Sequence, residues 1–393
     1  MINICIFAVD GQDFSSFRGG VGRIINILKL KFEEKGCKVF FITNKPKVGD
    51  AVSDNVFYLP DLKVDSENNI KELQEFISRY EIDIFINELA YSLECINLCN
   101  NIKHLTKIIN VHNNCIKCIY ESYPQMFKRS KNKIIVKLVD TFNMWFLIKY
   151  LFKLRSKYIW KKAINVSDFF VVYFDSFKKE FEELYGIKSN KIKVITNPST
   201  YDDLSSEIDF NLRKNIVYVG RIVETQKRFE KVIQLWHKLH DEFKDWSFDV
   251  VGEGPYLDKA INYANENKLD RVHFHGLQDP LKFWLNADIF TLTSDFEGFG
   301  MVLIEAQSCG TVPITFDCFS AINEVVNDEH SGIIVKDFNI DEMYHKIKSL
   351  INNEDKILRL KKNGLIQAKK FDKDLISDKW MKLFDELLSS KKP

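Results

Sequence analysis

Short apolar runs alternate along the chain with stretches in which apolar residues recur every three or four positions. The first half has apolar runs at 2–9 and 38–43, with a helical pattern at about 24–35 between them. A second series of the same kind begins with the run 215–219 and includes 288–294. A buried parallel strand reads as an unbroken apolar run, and intervening amphipathic helices are typical of a parallel sheet. The pattern therefore predicts an α/β chain made of two similar halves.

The length and composition support two domains and exclude several classes of protein. A chain of 393 residues is too long for one hydrophobic core, and 45% hydrophobic with 28% charged residues describes a globular protein. A net charge of +1 argues against a general nucleic-acid binder. The first glycine loop lacks the third glycine of a dinucleotide site, and the sequence contains no P-loop motif. We predict domains at 1–198 and 199–372, with a polar, acidic linker at 199–214.

The stretch 288–315 carries the main chemical signal. An apolar strand is followed by a turn with two glycines, a helix predicted at 301–308, and a second strand. Such a unit directs backbone N–H groups and the positive end of a helix dipole toward an anionic or oxygen-rich ligand. Glu297 lies on the turn, and Glu305 lies roughly 12 Å further along the helix. The two carboxylates are therefore placed to contact different parts of one long ligand.

The spacing of Glu297 and Glu305, with the neighbouring glycines, closely resembles the retaining, nucleotide-sugar-dependent glycosyltransferases of family 4 (group 1). The resemblance implies the GT-B fold, in which two Rossmann-like, doubly wound α/β domains face each other across a cleft. It also implies that the final helix, at 373–393, completes the first domain. The implied reaction moves a hexose from a UDP-sugar to a saccharide or lipid-linked saccharide acceptor, as in bacterial lipopolysaccharide and polysaccharide synthesis. Galactose, glucose and N-acetylhexosamine all remain open as the transferred sugar.

The resemblance also implies roles for particular residues. Glu297 would hold a sugar hydroxyl, Glu305 the ribose hydroxyls, and Arg221 and Lys227 the leaving diphosphate, whereas Arg228 is expected to face solvent. His112, at the end of a predicted strand, would meet the sugar near its C6 hydroxyl; a capping histidine is the alternative. The glycine-rich turns would supply backbone contacts to the diphosphate and base. These turn residues are Gly19, Gly20, Gly220, Gly252, Glu253, Gly276, Leu277, Gly298, Phe299 and Gly300.

A retaining reaction without a metal or a cofactor is the predicted mechanism. No carboxylate is an evident nucleophile for a double displacement, so the leaving phosphate is expected to accept the proton. Arg221 and Lys227 can carry the charge of the leaving group, and no paired-acid metal motif is present. Two other functions remain open: a sugar-nucleotide epimerase of the same fold, and a non-catalytic partner that binds glycan.

The segment 126–163 differs in composition from the rest of the chain. It has many lysines and arginines, a single acid, Asp140, and aromatic residues at helical spacing. This pattern is typical of a helix on an anionic membrane surface. It equally fits a helical pair that packs its aromatic residues inward, so both interpretations stay open.

Several features predict a cytoplasmic protein, peripheral on the inner face of the plasma membrane if the basic segment binds lipid. The start of the sequence reads as a strand and lacks a basic leader, and no apolar run is long enough to span a bilayer. The eight cysteines show no disulfide spacing, which is typical of a reducing compartment. Cys115 and Cys118, close to His112, have the spacing of a metal or redox site, but without a second ligand pair neither is predicted.

Overall fold

The computed structural model describes residues 1–8, 20–44, 56–130 and 133–389. It divides the chain into two compact units. The first comprises Met1–Pro198 and the segment that starts at Lys373, and the second comprises Ser199–Asp372. The second unit is therefore inserted between two parts of the first.

The first unit is built around a seven-stranded parallel sheet within the described residues. Its spatial order is β3-β2-β1-β4-β5-β6-β7. The central strands are almost entirely buried, because helices cover both faces of such a sheet. The strands are β1 (Asn3–Phe7), β2 (Lys38–Thr43), β3 (Val56–Tyr58), β4 (Ile84–Asn87), β5 (Lys107–His112), β6 (Phe169–Val172) and β7 (Ile192–Val194).

Helices connect these strands in the order expected for a doubly wound fold. They are α1 (Gly20–Glu34), α2 (Glu67–Arg79), α3 (Leu93–Ile102), α4 (Ile116–Ser130), α5 (Lys133–Thr141), α6 (Trp145–Val166) and α7 (Asp175–Tyr185). The basic, aromatic segment thus forms α5, most of α6 and the end of α4. Within the described ranges, no helix is both long enough and apolar enough to cross a bilayer.

The C-terminal helix packs on the first unit. We label the last helix, Lys373–Ser389, α15, following chain order. Its Trp380 and Phe384 rings contact Phe32 of α1 edge-on, at centroid distances of 6.2 and 5.2 Å. Ion pairs between lysines of the α1 region and aspartates of α15 border this aromatic contact. The first unit is therefore completed by residues from both parts of the chain.

The second unit contains a six-stranded parallel sheet, again within the described residues, in the order β10-β9-β8-β11-β12-β13. The strands are β8 (Asn215–Val219), β9 (Ser247–Val251), β10 (Val272–Phe274), β11 (Ile289–Leu292), β12 (Val312–Phe316) and β13 (Ile333–Val335). The helices are α8 (Phe229–His240), α9 (Leu257–Glu266), α10 (Leu281–Leu285), α11 (Met301–Ser308), α12 (Ile322–Val325), α13 (Ile340–Ile351) and α14 (Glu354–Ala368). Helix α11 covers the residues that its sequence pattern predicted.

In each sheet, the first three strands of the chain follow one another toward one edge, and the later strands follow one another from the first strand toward the opposite edge. In the first sheet this reversal of direction lies between β1 and β4, and in the second between β8 and β11. Open parallel sheets bind ligands outside the carboxyl ends of the strands at such a point, where the flanking loops diverge. The loops that follow β8 and β11 are therefore the candidate ligand-binding loops of the second unit, and those after β1 and β4 are their counterparts in the first.

Close approach of two strand ends requires glycine after β9. A Cβ on Gly252 would lie 1.9 Å from the backbone oxygen of Gly220, and the φ angle of Gly252 is +147°. The amide of Gly252 donates to the carbonyl of Gly276 at 2.8 Å, which holds the turns after β9 and β10 together. Since backbone atoms cannot move aside as a flexible side chain can, any larger residue at this position must displace the β8 loop.

We expect Gly252→Ala to destabilise the second unit by more than about 2 kcal/mol, because its methyl group would overlap the Gly220 carbonyl. Gly276→Ala is the control, since its φ is also positive, +68°, but nothing lies within 4 Å of the added Cβ. That variant should lose only about 1 kcal/mol from backbone strain. Urea unfolding of the full chain measures both, and equal losses would contradict the steric explanation.

Candidate functional site

The loops after β8 and β11 are bonded to each other at the point of strand reversal. The backbone amide of Asp295 donates to the carbonyl of Gln226 at 2.8 Å. The side-chain amide of Gln226 donates in return to the carbonyl of Phe296 at 3.1 Å. The Thr293 hydroxyl donates to the carbonyl of Lys227 at 2.8 Å. These bonds fix the two loops as one unit, so side chains on either loop have defined positions relative to the other.

Lys227 and Glu297, both predicted as site residues, form an ion pair. Lys227 Nζ lies 2.6 Å from Glu297 Oε1, with 12% and 9% of the respective side chains exposed. The hydroxyl of Ser294 donates to the same carboxylate oxygen at 2.6 Å. A largely buried charge is stable only when it is paired and hydrogen-bonded, so each residue stabilises the other. The sequence placed both residues in the site but did not reveal this bond.

Arg221 differs from Lys227 in that its guanidinium is exposed. Its Nη2 donates to Gln226 Oε1 at 2.8 Å, which orients the group without neutralising it. The backbone oxygen of Arg221 accepts a hydrogen bond from the buried Tyr218 hydroxyl at 2.9 Å, so the main chain beneath the guanidinium is held in place. An exposed and oriented guanidinium is suited to forked contacts with phosphate oxygens.

Arg228 has a structural role that the sequence analysis did not anticipate. Its Nε lies 2.6 Å from Asp295 Oδ2, which adds a charged bond between the two loops. The residue adopts a left-handed conformation, with φ of +50°, directly before α8. Arg228 keeps 39% of its side chain exposed to solvent, and it also anchors the two loops to each other.

The glycine turn before α11 presents a helix N-terminus at the same edge of the sheet. Gly300 precedes α11 with φ of +76°, a conformation that glycine adopts without strain. The side chain of Phe299 is buried and packs edge-on against Phe371, so only its backbone is available to a ligand. The first amides of α11 have no acceptor within the helix, which makes this end attractive to anions.

Glu305 is buried on the second turn of α11. Its Oε1 accepts a hydrogen bond from the hydroxyl of Thr200 at 2.7 Å. Thr200 lies just after the start of the second unit, 105 residues earlier in the chain, and was not recognised from the sequence. A ligand hydroxyl that binds Glu305 would therefore meet a carboxylate whose position is already set by Thr200.

The remaining turn residues of the second unit lie along the same edge. Gly220 donates its amide to the Val251 carbonyl at 3.0 Å, and the amide of Ile222 donates to the Glu253 carbonyl at 2.8 Å. Leu277, after Gly276, and Glu253 are exposed. The predicted site residues of this unit thus follow the carboxyl ends of β8, β9, β10 and β11.

In the first unit, Gly19 lies outside the described residues and Gly20 begins α1. His112 ends β5, but its ring is fully buried, 4.6 Å from the Trp160 ring. Burial lowers the pKa of His112 to about 3, which the backbone of Asn114 offsets only in part. The imidazole is therefore neutral at physiological pH. Its contact with a sugar remains a prediction, and it requires the ring to become exposed.

Glu88 is a buried acid that the sequence analysis missed. It follows β4 at the point of strand reversal, and its amide donates to the Phe7 carbonyl at 3.1 Å. Asn113 Nδ2 donates to Glu88 Oε2 at 3.2 Å. Desolvation by burial raises the pKa of Glu88 to about 7. Perturbed carboxyl groups are frequent in functional sites. The available sequence signal was an acid directly after an apolar strand.

Cys115 and Cys118 are joined by a disulfide at the start of α4. The cysteine spacing predicted no disulfide, so the bond between Cys115 and Cys118 corrects that prediction. The buried carboxylate of Glu180 accepts hydrogen bonds from the amides of Ile116 and Lys117 at 2.9 and 3.0 Å. The disulfide and the Glu180 carboxylate therefore both stabilise the first turn of α4.

Among the residues that the structure describes, no group of three or more His, Cys, Asp or Glu could hold a metal ion.

Comparison with known proteins supports a glycosyltransferase. Residues 202–367 match the family model described as glycosyl transferases group 1. An uncharacterised glycosyltransferase of Haemophilus influenzae is 24% identical over 92% of this chain and 95% of its own. The N,N'-diacetylbacillosaminyl-diphospho-undecaprenol α-1,3-N-acetylgalactosaminyltransferase of Campylobacter jejuni is 27% identical over 62% of this chain and 65% of its own. The lipopolysaccharide 1,6-galactosyltransferase of Escherichia coli is 31% identical over 37% and 42%.

Solved structures resemble the whole chain. Sucrose-phosphate synthase from Thermosynechococcus elongatus has a TM-score of 0.76 at 14% identity, with both chains fully covered. HepE from Anabaena, solved with UDP-glucose, has a TM-score of 0.69 at 14% identity over 98% of this chain and all of its own. Together with the two parallel sheets, these likenesses confirm the predicted GT-B fold.

We expect Glu88→Gln to change the pH dependence of stability. With a pKa raised to about 7, folded Glu88 keeps a proton that its unfolded form releases near pH 4.5. The contribution of Glu88 to the free energy of unfolding is therefore highest below pH 4.5, falls as the pH rises to 7, and is then level, a total loss of about 3 kcal/mol. Melting temperatures of both proteins between pH 4 and 9 test this. A constant difference across that range would contradict it.

Proposed function

We propose that the protein transfers a hexose from a UDP-sugar to a saccharide acceptor with retention of configuration. The match of residues 202–367 to the family model of group 1 glycosyl transferases supports this proposal. The observation that carries this proposal is the bonded pair of loops after β8 and β11, which brings Arg221, Lys227 and Glu297 to one helix N-terminus. Two cations, an amide-rich turn and a carboxylate match a diphosphate that ends in a polyhydroxylated ring.

Binding of the donor diphosphate would redistribute the existing charges. Arg221, which is exposed, meets the phosphate oxygens first, and the amides at the start of α11 receive the remaining negative charge. Lys227 then turns from Glu297 toward the diphosphate, and Glu297 accepts a hydrogen bond from a sugar hydroxyl in place of the lysine. Each charge keeps a partner during this exchange, so neither is left buried and unpaired.

The nucleoside would lie along the other strand ends of the second unit. Glu305, oriented by Thr200, is suited to the two ribose hydroxyls because a carboxylate accepts two hydrogen bonds side by side. The backbone at Gly276 and Leu277 is proposed to contact the base. HepE, a structural neighbour, was solved with UDP-glucose, which supports a uridine nucleotide as the donor.

In the proposed reaction, the acceptor hydroxyl attacks the anomeric carbon on the face that the phosphate leaves. The bond between that carbon and the phosphate oxygen breaks, and the leaving phosphate takes the proton of the attacking hydroxyl. Arg221 and Lys227 stabilise the charge that develops on the diphosphate, so the reaction is proposed to need no metal ion. The Glu297 carboxylate holds the sugar hydroxyl and does not form a covalent bond.

The acceptor is proposed to be a growing cell-surface glycan, either free or linked to lipid. The Campylobacter relative acts on an undecaprenol-linked saccharide, and the Escherichia coli relative on lipopolysaccharide. Sugar specificity differs between these relatives, since one carries the name of an N-acetylgalactosaminyltransferase and the other of a galactosyltransferase. A donor panel must therefore contain both N-acetylated and plain hexoses.

Arg221→Ala should weaken donor binding by roughly 10- to 100-fold, which corresponds to the loss of one or more hydrogen bonds to a charged phosphate. Calorimetric titration with UDP-glucose, UDP-galactose, UDP-N-acetylglucosamine, UDP-N-acetylgalactosamine and UDP measures this directly. Lys238→Ala is the matched control, because Lys238 is a cation on α8 that pairs with Asp341 on α13. If no nucleotide binds, the transferase proposal fails, and a glycan-binding partner becomes the better explanation.

Glu297→Gln should lower kcat at least about 100-fold, because the carboxylate is proposed to hold the reacting sugar. The variant also removes the ionic partner of Lys227, so its melting temperature is measured beside its activity to separate loss of stability from loss of catalysis. Turnover of the bound UDP-sugar, with and without saccharide acceptors, gives the rate, and NMR of the product gives its anomeric configuration. An α-linked product from an α-linked donor is expected. Inversion would contradict the proposed mechanism, and conversion of the donor into an epimer without an acceptor would identify an epimerase.

A further inference from the structure

Helices α5 and α6 leave a large apolar surface uncovered. Ten of the 21 exposed large hydrophobic side chains among the described residues lie between positions 135 and 158. We call this surface the outer face and define it by Leu138, Phe142, Phe146, Leu151, Leu154 and Tyr158. Phe146 is the most exposed of them, at 83%. Concentrated exposure of this kind marks an interaction site, whereas single exposed hydrophobic residues do not.

The outer face is not the side on which α6 packs against its own domain. On the inner side, Trp160 is buried, with its ring 5.6 Å from that of Phe181 of α7, and Ala163 is fully buried. Leu147, Leu151, Leu154 and Tyr158 follow one another at spacings of four, three and four residues on the opposite side. The helix is thus apolar on two sides, and its internal packing accounts for only one of them.

The outer face is also strongly basic. Residues 133–166 contain eight lysines and arginines and one acid, Asp140, although the whole chain has a net charge of only +1. Asp140 is already engaged, since it pairs with Lys128 at 3.0 Å and accepts a hydrogen bond from the Trp145 indole at 2.9 Å. Lys137, Arg155 and Lys161 are exposed beside the apolar side chains. The positive charge of this surface is therefore largely uncompensated.

We propose that the outer face binds the surface of an anionic lipid bilayer, with α6 lying in the interface. Leucine and phenylalanine side chains would enter the boundary between headgroups and acyl chains, and the cations would meet the lipid phosphates. This orientation agrees with the absence of a helix able to span the bilayer among the described residues. It goes beyond the proposed sugar transfer, because it depends on no donor-site residue.

The combination of exposed cations and exposed apolar side chains on the outer face favours a lipid bilayer over the other candidate partners. A second copy of the chain, bound through the same face, would bring the exposed cations of both copies together, with Lys137, Arg155 and Lys161 from each, and like charges repel. A nucleic acid would neutralise the cations but leave the leucines in water. An anionic bilayer is the partner that satisfies both properties of the surface at once.

The test is flotation of the full-length protein with lipid vesicles in a density gradient. Vesicles of phosphatidylcholine alone are compared with vesicles of equal parts phosphatidylcholine and phosphatidylglycerol. The protein should float with the anionic vesicles at low salt and much less at about 1 M salt, where the Debye length falls to about 3 Å. Arg155→Gln with Lys161→Gln should reduce partitioning roughly 30-fold, because each cation near an anionic surface contributes about fivefold.

A second variant tests the apolar part of the surface. Phe146→Ser, Leu151→Ser and Leu154→Ser together should abolish flotation, while Leu62→Ser with Ile366→Ser, two similarly exposed positions elsewhere, should leave it unchanged. All variants should bind UDP-sugars like the wild type, so loss of flotation is separable from loss of the proposed function. Failure of the wild type to float at low salt would overturn the proposal. So would unchanged flotation of the triple variant, or a dimer that this variant dissociates without any vesicle binding.

Discussion

The ion pair between Lys227 and Glu297 joins the ends of two neighbouring strands, and the geometry of the second unit's binding edge depends on it. Both side chains are nearly buried, and a buried charge without a partner would destabilise the loops by several kcal/mol. The pair is supported by Ser294 and by backbone bonds between the two loops. The protein therefore keeps a cation and an anion at the proposed reaction centre before any ligand is bound. A ligand must bring a negative group for the lysine and a hydrogen-bond donor for the glutamate, because it has to replace each partner that it removes. This requirement favours a molecule with both a phosphate and a hydroxyl group over a simple anion.

The fold and part of the site follow from local sequence signals. Helix α11 and its flanking strands were predictable because the apolar runs, the glycines and the two carboxylates that indicate them all lie within the single stretch 288–315. The alternation of strands and helices likewise fixed two parallel sheets, since each element shows its own periodicity. Residues such as Arg221 and Glu305 could be assigned to the site because a family resemblance connected these local signals.

The contacts that set the electrostatics were not predictable in the same way. Lys227 and Glu297 are 70 residues apart, and Thr200 and Glu305 are 105 apart, so only the folded chain brings them together. The burial of His112 depends on Trp160, whose helix packs over the sheet, and the pKa of Glu88 depends on its desolvation. In the sequence, His112 and Glu88 are simply polar residues at the carboxyl ends of apolar strands. Their surroundings are a property of tertiary packing, which single-sequence patterns do not record.

The insertion of the second unit within the first affects how the protein is made. Within the part of the chain that the structure describes, the aromatic rings that contact Phe32 of α1, Trp380 and Phe384, both lie in the last helix. A ribosome that has finished residue 198 must add roughly 190 more residues before that helix is complete, which takes roughly 10 to 40 seconds. During this interval the second unit can fold, because its sequence is continuous, while α1 still exposes the apolar side that α15 will cover. We therefore expect the inserted domain to fold first, while the nascent first unit keeps apolar surface exposed until its last helix has been made.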